Sequence, residues 1–403
     1  MDSSAQIREP PTVPRAELDQ RPHEMFRRLR PLTPLVRRDD GGYIAIRAAD
    51  VERLMTDPRT RQSETELPTS RGVTDGPLFT FFKSSMLFTN GPDHRRRRAP
   101  LSRVFAVKLV ADLRPRIRAV AERLIERASA RKEMNLLDDY AALIPARMIS
   151  EVLGLAEEDI PRFTRWVYTM ARAITPSFAR EEVPEIVDAA DQLTAYVSEL
   201  LANRRASPRD DFLTSYVRAM DAEGNLSPEE TLAQIMTVIL GGSDTTRSAM
   251  TIQVALLLQH PEQWEAVCRD PALIPGAVVE SLRYEPSVGS VPRFTLDEIE
   301  IEGYVVPRNR MLSLSTLSAM RDSAVYADPD RFDIRRGDLS RKHPVFGNGV
   351  HRCLGEALAK AELEEGLAAL SARLPQLRLV GEPPVVRGHG GIRQMSNMHV
   401  SWP

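Results

Sequence analysis

The amino-acid sequence predicts a mainly helical protein that also contains small β-sheets. Helical periodicity recurs through residues 107–204, and Ser227-Pro-Glu-Glu230 predicts the capped start of a long helix. Alternating apolar residues over 291–316 and a β-rich stretch over 377–402 predict the sheets. The composition agrees with this fold class, because 42% of the residues are hydrophobic, only 6% are aromatic, and Ala, Leu and Arg are abundant.

The chain is predicted to be a single domain over residues 21–403, preceded by a flexible, polar arm over residues 1–20. Near the start of the domain, Asp39-Asp-Gly-Gly42 lies between two apolar runs and predicts a β-hairpin. Residues 59–90 have scattered Ser, Thr, Pro and Gly and no sustained period. A long irregular segment of this kind is typical of a functional lid.

Composition and charge exclude several classes of function. A net charge of -2 gives no bias towards nucleic acid or membrane surfaces, so neither is an expected partner. The first twenty residues lack the apolar core of a signal peptide, and the longest apolar run, Ala249–Leu258, is too short to span a membrane. Two distant cysteines do not form a disulfide framework. A soluble, cytoplasmic protein is therefore expected.

One loop contains an unusual concentration of reactive and flexible residues. In Phe346-Gly-Asn-Gly-Val-His-Arg-Cys353-Leu-Gly355, three glycines surround a cysteine, and an amphipathic helix is predicted directly after it. A helix N-terminus favours a sulfur anion, and glycine lets backbone amides approach it. The cysteine could be structural, a nucleophile with His351 as its base, or a metal ligand. Zinc would need further ligands with paired spacing, whereas heme iron needs a single axial thiolate.

The predicted long helix is interrupted in composition by Gly241-Gly-Ser-Asp-Thr-Thr246, which consists of poor helix formers. Either the close approach of another group or a local opening of the helix would explain such an insert. Thr245 can bond back to the carbonyl of Gly241, which would disturb the helix there. Asp244 requires a partner or a role in proton transfer. A satisfied polar pair in the core is the alternative interpretation.

Two charged motifs can be interpreted either as functional groups or as ordinary surface residues. His94 and Arg98 lie four residues apart in an arginine-rich run, so they share one face of a helix, but such a run is also typical of a solvated or anion-binding surface. Glu280 and Arg283 are three residues apart on a helix that ends before Pro286, and as a surface pair they would contribute little.

Together these motifs resemble those of the cytochrome P-450 superfamily. The loop ending at Gly355 is similar to its heme-binding pattern Phe-Gly-x-Gly-x-His/Arg-x-Cys-x-Gly, and Gly241–Thr245 is similar to its Ala/Gly-Gly-x-Asp/Glu-Thr motif. His-x-x-x-Arg and Glu-x-x-Arg occur in the family's order. The resemblance runs from about residue 20 to the end of the chain. It implies a helical bundle around a buried heme b, which is iron protoporphyrin IX.

The resemblance implies a role for each candidate residue. Cys353 is the ligand of the heme iron, and Asp244 and Thr245 direct protons to bound dioxygen. The implied heme contacts are His94, Arg98, Gly241, Arg293, Phe346, Gly347, His351 and Gly355, of which His94, Arg98, Arg293 and His351 are candidates for binding the propionates. Glu280, Arg283 and Arg331 form a network that fixes the cysteine loop. The implied substrate pocket contains Phe88, Thr237, Leu240, Val288, Gly289 and Ile392. Lys83, Ser84 and Ser85 could bind a carboxylate there or face water, and the second interpretation is favoured.

The resemblance implies a monomeric monooxygenase that inserts one oxygen atom of O2 into a small, mostly apolar organic substrate, for example by hydroxylation. Electrons are expected from a separate ferredoxin, of the 2Fe–2S or a similar type, that is reduced by an NAD(P)H-dependent reductase. The residues of this chain that are expected to bind the ferredoxin are among Arg95, Arg97, Arg103, Arg352 and Lys360. A peroxide-driven heme-thiolate enzyme and a heme-binding sensor or carrier without turnover are the alternatives. The identity of the substrate does not follow from the sequence.

Overall fold

The structure is a computed structural model that describes residues 8–105, 107–174, 180–339 and 343–403. The helices are α1 Arg15–Gln20, α2 Pro22–Leu29, α3 Ala48–Leu54, α4 Glu66–Ser70, α5 Gly76–Ser84, α6 Gly91–Val104, α7 Val107–Ala128, α8 Leu143–Leu153, α9 Ile160–Ala171, α10 Val183–Ala206, α11 Phe212–Glu223, α12 Pro228–Gln259, α13 Pro261–Arg269, α14 Ile274–Tyr284, α15 Thr316–Ala319 and α16 Glu356–Arg373. The strands are β1 Thr12–Val13, β2 Leu35–Arg38, β3 Tyr43–Ala45, β4 Thr60–Arg61, β5 Glu133–Asn135, β6 Val291–Thr295, β7 Ile299–Ile301, β8 Tyr304–Val306, β9 Met311–Leu314, β10 Arg378–Val380, β11 Val386–Arg387, β12 Gln394–Met395 and β13 His399–Ser401. The predicted fold class, mainly α with small sheets, is confirmed.

The described residues group into two compact units. The first unit comprises those of Met1–Ser63, Pro275–Cys353 and Val385–Ser396. Its largest sheet has the strand order β1-β2-β3-β9-β6-β4, in which the β1–β2 and β3–β9 pairs are parallel and the other pairs are antiparallel. The predicted hairpin is the β2–β3 pair. Apolar side chains of this sheet pack against α2 and α3 to form the core of the unit.

The expectation of a loose arm is wrong for residues 8–20. Strand β1 pairs with β2 in the large sheet, and Leu18 of α1 is fully buried. Burial of Val13 and Leu18 removes apolar surface from water, which stabilises the segment against the sheet. The remainder of the predicted arm, residues 1–7, lies outside the described residues.

The second unit comprises the described residues of Glu64–Ile274, Leu354–Pro384 and Asn397–Pro403. Its centre is α12, which contacts α5, α8, α9 and α16. The helix begins as predicted, because the Ser227 side chain accepts from the Glu230 amide while the Glu230 side chain accepts from the Ser227 amide. A small antiparallel sheet, β10-β13-β5, completes the unit.

Residues 59–90, predicted to be irregular, contain β4, α4 and α5. Their role as a lid remains a prediction. None of the helices in the described ranges combines the length and apolarity that crossing a lipid bilayer requires.

Candidate functional site

The cysteine loop as far as Cys353 lies in the first unit and is held by its own hydrogen bonds. The Cys353 amide donates to the Phe346 carbonyl at 2.8 Å, and Arg352 Nη1 donates to the Gly347 carbonyl at 2.9 Å. Gly347 has a φ of 70°, which favours glycine. The loop is therefore closed on itself, and Cys353 is exposed at its end.

Glycine also allows the loop to approach its neighbour closely. A Cβ atom at Gly349 would lie 2.7 Å from Thr56 Cγ2, in the segment after α3. Gly355 occupies the position before α16, so this helix begins three residues after Cys353, close to where the sequence predicts it. The other cysteine has different surroundings, since burial raises the pKa of the Cys268 thiol to about 11. Cys353 is therefore the better candidate for a thiolate ligand.

Arg293, a predicted propionate partner, is a buried cation on β6 of the first unit. It is 6% exposed, and its Nε and Nη2 donate to the side-chain and backbone oxygens of Thr60, both at 2.9 Å. Burial lowers the pKa of Arg293 to about 10, although the charge of Asp57 acts in the opposite direction. Its hydrogen-bond partners among the described residues are thus neutral oxygens. A buried cation of this kind suits an anionic ligand such as a carboxylate.

His94 and Arg98 lie one turn apart on α6 of the second unit, as their spacing predicts. Burial, with smaller contributions from the charges of Arg98 and Arg95, lowers the pKa of His94 to about 4, so the ring is neutral at pH 7. A neutral imidazole can still donate one hydrogen bond to a carboxylate. His351, the remaining candidate, is half-buried in the turn Gly349–His351 of the cysteine loop.

The glycine-rich insert is an unbroken part of α12. The predicted bond is present, because Thr245 Oγ1 donates to the Gly241 carbonyl at 2.9 Å, but the predicted disturbance of the helix is not. Among the described residues, a Cβ atom at Gly241 would meet no heavy atom within 4 Å, whereas one at Gly242 would lie 2.9 Å from Ile149 Cδ1. Gly242 thus allows α8 to pack closely, and Gly241 leaves open space beside the helix.

Asp244 has a partner that the sequence analysis did not identify. Arg247, on the next turn of α12, donates a hydrogen bond to the Asp244 carboxylate. The Arg247 guanidinium lies 4.4 Å from the ring centroid of Tyr168 on α9, and Tyr168 donates to the Ala142 carbonyl at 2.8 Å. The i, i+3 spacing of Asp244 and Arg247 was the available signal. The acid is therefore held in a pair, with 16% of its side chain exposed.

A second acid that the sequence analysis did not identify, Glu362 on α16, contacts the glycine-rich segment of α12 at Thr246. It is 1% exposed, and burial raises the pKa of its carboxyl well above the usual value, although a hydrogen bond with Thr246 opposes this. Glu362 stands four residues after Leu358 and so falls on the predicted apolar face, which could have identified it. The second unit thus brings a buried acid, whose neutral form is favoured by burial, to the residue that follows Thr245.

The predicted contacts around Glu280 are present with one correction, while their role in fixing the cysteine loop remains a prediction. Glu280 and Arg283 are fully buried and form two hydrogen bonds at 2.7 and 2.8 Å. Arg331 contributes its carbonyl, which accepts from Arg283 at 3.1 Å, but its side chain is 69% exposed and pairs with Asp333. Arg336 takes the predicted place of Arg331, because its Nε lies 3.4 Å from Glu280 Oε1 and its side chain is only 7% exposed.

The predicted pocket residues of the second unit are buried, and two of them, Thr237 and Leu240, belong to α12. Phe88 stacks on Phe82 with ring centroids 4.4 Å apart, and Leu240 is 1% exposed. The Thr237 hydroxyl lies 2.6 Å from Ser85 Oγ, so the segment before Phe88 is fastened to the helix. The expectation that Ser84 and Ser85 face water is wrong, since both are buried, whereas Lys83 is exposed.

The predicted pocket residues of the first unit lie together. Val288 and Ile392 form an antiparallel bridge, and the Gly289 amide donates to the Gly391 carbonyl at 2.9 Å. A Cβ atom at Gly289 would lie 2.7 Å from the His389 carbonyl oxygen, so this backbone contact requires glycine. Val288, Gly289 and Ile392 therefore form one apolar wall.

One predicted docking residue must be removed. Arg97 is buried and donates to Glu230 at 2.7 Å and to the Lys83 carbonyl at 3.0 Å, so it is part of the packing of the second unit. Arg103 is exposed but forms an ion pair with Glu223. Arg95 is exposed, and Lys360 bonds Glu356 at 2.8 Å.

The closed cysteine loop of the first unit and the acid–threonine helix of the second unit are each features typical of a heme-thiolate oxygenase. Comparison with known families agrees: the family described as Cytochrome P450 matches residues 62–270 and 272–373. The chain belongs to this family and is a cytochrome P450 monooxygenase that binds heme b.

Several proteins of this family are similar to the chain over nearly its whole length. The chain is 45% identical over 392 residues to the plant-inducible cytochrome P450-pinF1 of Rhizobium radiobacter, covering 97% of this chain and 93% of the relative. It is 33% identical over 390 residues to a vitamin D(3) 25-hydroxylase of Pseudonocardia autotrophica, covering 95% and 94% of the two chains. Among solved structures, the myxobacterial cytochrome P450 CYP267B1 in complex with myristic acid is 33% identical, with a TM-score of 0.87 and coverage of 96% and 97%.

The residues of this chain fit heme b. Arg293 is a buried cation whose described partners are neutral, which suits a propionate. Gly241 has open space beside it on α12, and Cys353 is exposed at the end of a closed loop. As a member of this family the enzyme requires O2, an organic substrate and a source of electrons.

Proposed function

We propose that this monooxygenase inserts one oxygen atom of O2 into a small, mostly apolar organic substrate, with Cys353 as the thiolate ligand of heme iron. When bound, heme supplies the iron that activates O2, and electron release from a thiolate favours cleavage of the O–O bond. The observation that carries the proposal is the cysteine loop, which is closed by the bond from the Cys353 amide to the Phe346 carbonyl and leaves Cys353 exposed.

The other residues of this chain hold the cofactor and move protons in this proposal. Arg293, His94, Arg98 and His351 bind the propionates, while Phe346, Gly347, Gly355 and Gly241 contact the macrocycle. Asp244 supplies protons and Thr245 orients them through its hydroxyl, which is fixed by the bond to Gly241. Glu280, Arg283 and Arg336 brace the first unit. Residues 21–403 as a single catalytic domain, and a cytoplasmic, monomeric protein, remain predictions.

Cysteine replacement tests the proposed ligand. The reduced wild-type protein exposed to carbon monoxide should show the long-wavelength absorption of sulfur-ligated heme iron. Cys353→Ala should abolish this absorption, whereas Cys268→Ala is the matched control and should retain it. A full signal from Cys353→Ala would refute the assignment.

The apolar character of the proposed substrate is supported by the wall residues Val288 and Ile392 and by the aromatic group of Phe81, Phe82 and Phe88. The myristic acid bound by a related structure and the plant-inducible description of another relative guide the choice of compounds. Fatty acids, terpenoids and aromatic acids should be titrated, and a substrate should change the spin state of the heme. A response only to highly charged compounds would contradict the proposed class.

We also propose that electrons come from a small acidic ferredoxin with an NAD(P)H-dependent reductase. The support is charge: Arg95 and Arg103 are exposed in the second unit, and Arg352 follows His351 in the cysteine loop. Reversing these charges to Glu should slow electron transfer most at low salt, where charge steering is strongest. Unchanged electron transfer at low salt would refute docking at these residues. Turnover driven only by peroxide, or none at all, would favour the two alternative functions.

A further inference from the structure

Two polar contacts, made by the buried side chains of His389 and Arg393, hold the hairpin formed by β11 and β12 in the first unit. The hairpin runs from Val386 to Met395, and its connecting turn carries Ile392 of the proposed substrate wall. Charged side chains are seldom buried in a turn unless they are paired, because an unpaired buried charge is strongly unfavourable. The partners of His389 and Arg393 therefore indicate how this turn is held in place.

The first contact joins the turn to α1. His389 is buried, its Nδ1 lies 2.6 Å from Asp19 Oδ1, and its amide donates to the same oxygen at 3.2 Å. The Gly388 amide adds a bond to the Asp19 carbonyl at 3.0 Å. Arg38 approaches the other ring nitrogen, with Nη1 3.4 Å from Nε2. Both edges of the imidazole are therefore fixed.

The second contact joins the turn to the end of α14. The Arg393 side chain is 1% exposed and donates to the Glu285 carboxylate, while its Nε donates to the Gly388 carbonyl at 2.8 Å. His23 lies 2.9 Å from the same carboxylate, and Arg321 lies 3.7 Å away. Burial alone would raise the pKa of Glu285, but the charge of Arg393 and the hydrogen bond with His23 outweigh it and hold the pKa of this carboxyl well below its usual value.

Between these contacts lies the apolar wall. The Arg393 amide donates to the Ser287 carbonyl at 2.8 Å, directly before Val288. Gly289 fits against the His389 carbonyl, where a Cβ atom would come within 2.7 Å. Because the backbone of His389 and Arg393 contacts this wall, losing the side-chain contacts that hold the two residues is expected to shift Val288, Gly289 and Ile392.

We propose that Arg393 and His389 are positioning residues that set the shape of the substrate wall and thereby the enzyme's selectivity. This proposal rests on the proposed function, since it assumes that Val288, Gly289 and Ile392 face the substrate. Neither side chain takes part in the chemistry. They act by holding the wall at the distance that its ligands require.

Two probes separate wall shape from access to the iron. Imidazole binds heme iron and is small, whereas phenylimidazole binds in the same way but must also fit its phenyl group against the pocket walls. Both dissociation constants should be measured by spectral titration in heme-loaded wild type, Arg393→Gln, Arg393→Lys, His389→Gln and Arg387→Gln. Arg387 lies on the same hairpin but is exposed, so its replacement is the matched control.

In Arg393→Gln and His389→Gln, phenylimidazole should bind at least about tenfold more weakly relative to imidazole, a size typical of one lost apolar contact. Arg393→Lys keeps the charge opposite Glu285 and should recover part of the ratio, and Arg387→Gln should keep the wild-type ratio. Wild-type ratios in both Gln variants that retain the thiolate signal with carbon monoxide would overturn the proposal. A wild-type protein without that signal would instead refute the proposed function on which it rests.

Discussion

Asp244 and Arg247 form an ion pair one turn apart on α12, and the Arg247 guanidinium also covers the ring of Tyr168. The acid proposed to deliver protons is therefore restrained by a neighbour on its own helix. This pairing allows the role of the acid to be separated from the role of the pair, since either residue can be removed alone.

Asp244→Asn should lower product formation with O2, reductase and ferredoxin about 100-fold, because a general acid in the reaction is lost. Arg247→Gln breaks the same ion pair but leaves the acid, so it should retain far more activity. Peroxide-driven turnover should be largely unaffected in both variants, because peroxide brings its own protons. Equal losses in the two variants with O2 would show that the pair, and not the acid, is required.

Arg336 should contribute more to stability than Arg331. Arg336 is nearly buried beside Glu280, and its Nη1 also donates to the Ala327 carbonyl at 2.6 Å. Arg336→Gln should therefore lower the free energy of unfolding by about 1–3 kcal/mol, measured by urea denaturation. Arg331→Gln, at a mostly exposed side chain, should change it by less than about 0.5 kcal/mol. The reverse order would contradict the corrected network.

This network shows how far the sequence could predict the site. The Glu280 and Arg283 pair follows from a spacing of three on a helix, where the geometry is regular. Its third member lies in a loop, where no period fixes the direction of a side chain, and Asp328 there has a φ of 42°. Arg331 and Arg336 were therefore not distinguishable before the backbone was known.

The same reason explains what was predicted and missed elsewhere. The hairpin at Asp39–Gly42 and the cap at Ser227 depend on adjacent residues, so short motifs suffice. The order of residues 8–20 depends on pairing with β2, in which Thr12 is opposite Arg37, and on burial of a few apolar side chains such as Val13 and Leu18. Segments stabilised by distant contacts carry a weak local signal.

Because of His94, the free energy of unfolding should decrease at acidic pH. The pKa of His94 is about 4 in the folded protein without a bound propionate and 6.5 when unperturbed, so between these values the unfolded chain binds a proton that the folded chain does not. Stability should therefore fall as pH falls from about 6.5 to 4, by at most about 3 kcal/mol. Urea midpoints at pH 7 and pH 5 should differ less in His94→Gln. Bound heme should also reduce the loss, because a propionate favours the charged ring; equal slopes with and without heme would argue against His94 as its partner.

The adjacent glycines of α12 should respond oppositely to alanine. Gly241→Ala adds a methyl group to open space in a helix, so it should leave the fold intact and raise stability by up to about 1 kcal/mol. Gly242→Ala places a Cβ atom 2.9 Å from Ile149 Cδ1 and should lower stability. Thermal unfolding of the two variants in parallel measures both effects.

Ligand binding distinguishes the two glycines in a second way. If the open space beside Gly241 accommodates heme or its ligands, Gly241→Ala should weaken azole binding to the iron or alter the visible spectrum despite its stable fold. Position 242 faces α8, so Gly242→Ala should leave the spectrum of its folded fraction unchanged. The loss of stability expected in this variant should be partly relieved by Ile149→Val, which shortens the opposing side chain. A Gly241→Ala protein with wild-type spectrum and azole affinity would show that Gly241 is not near the cofactor. The glycine at this position of the helix would then have no functional explanation.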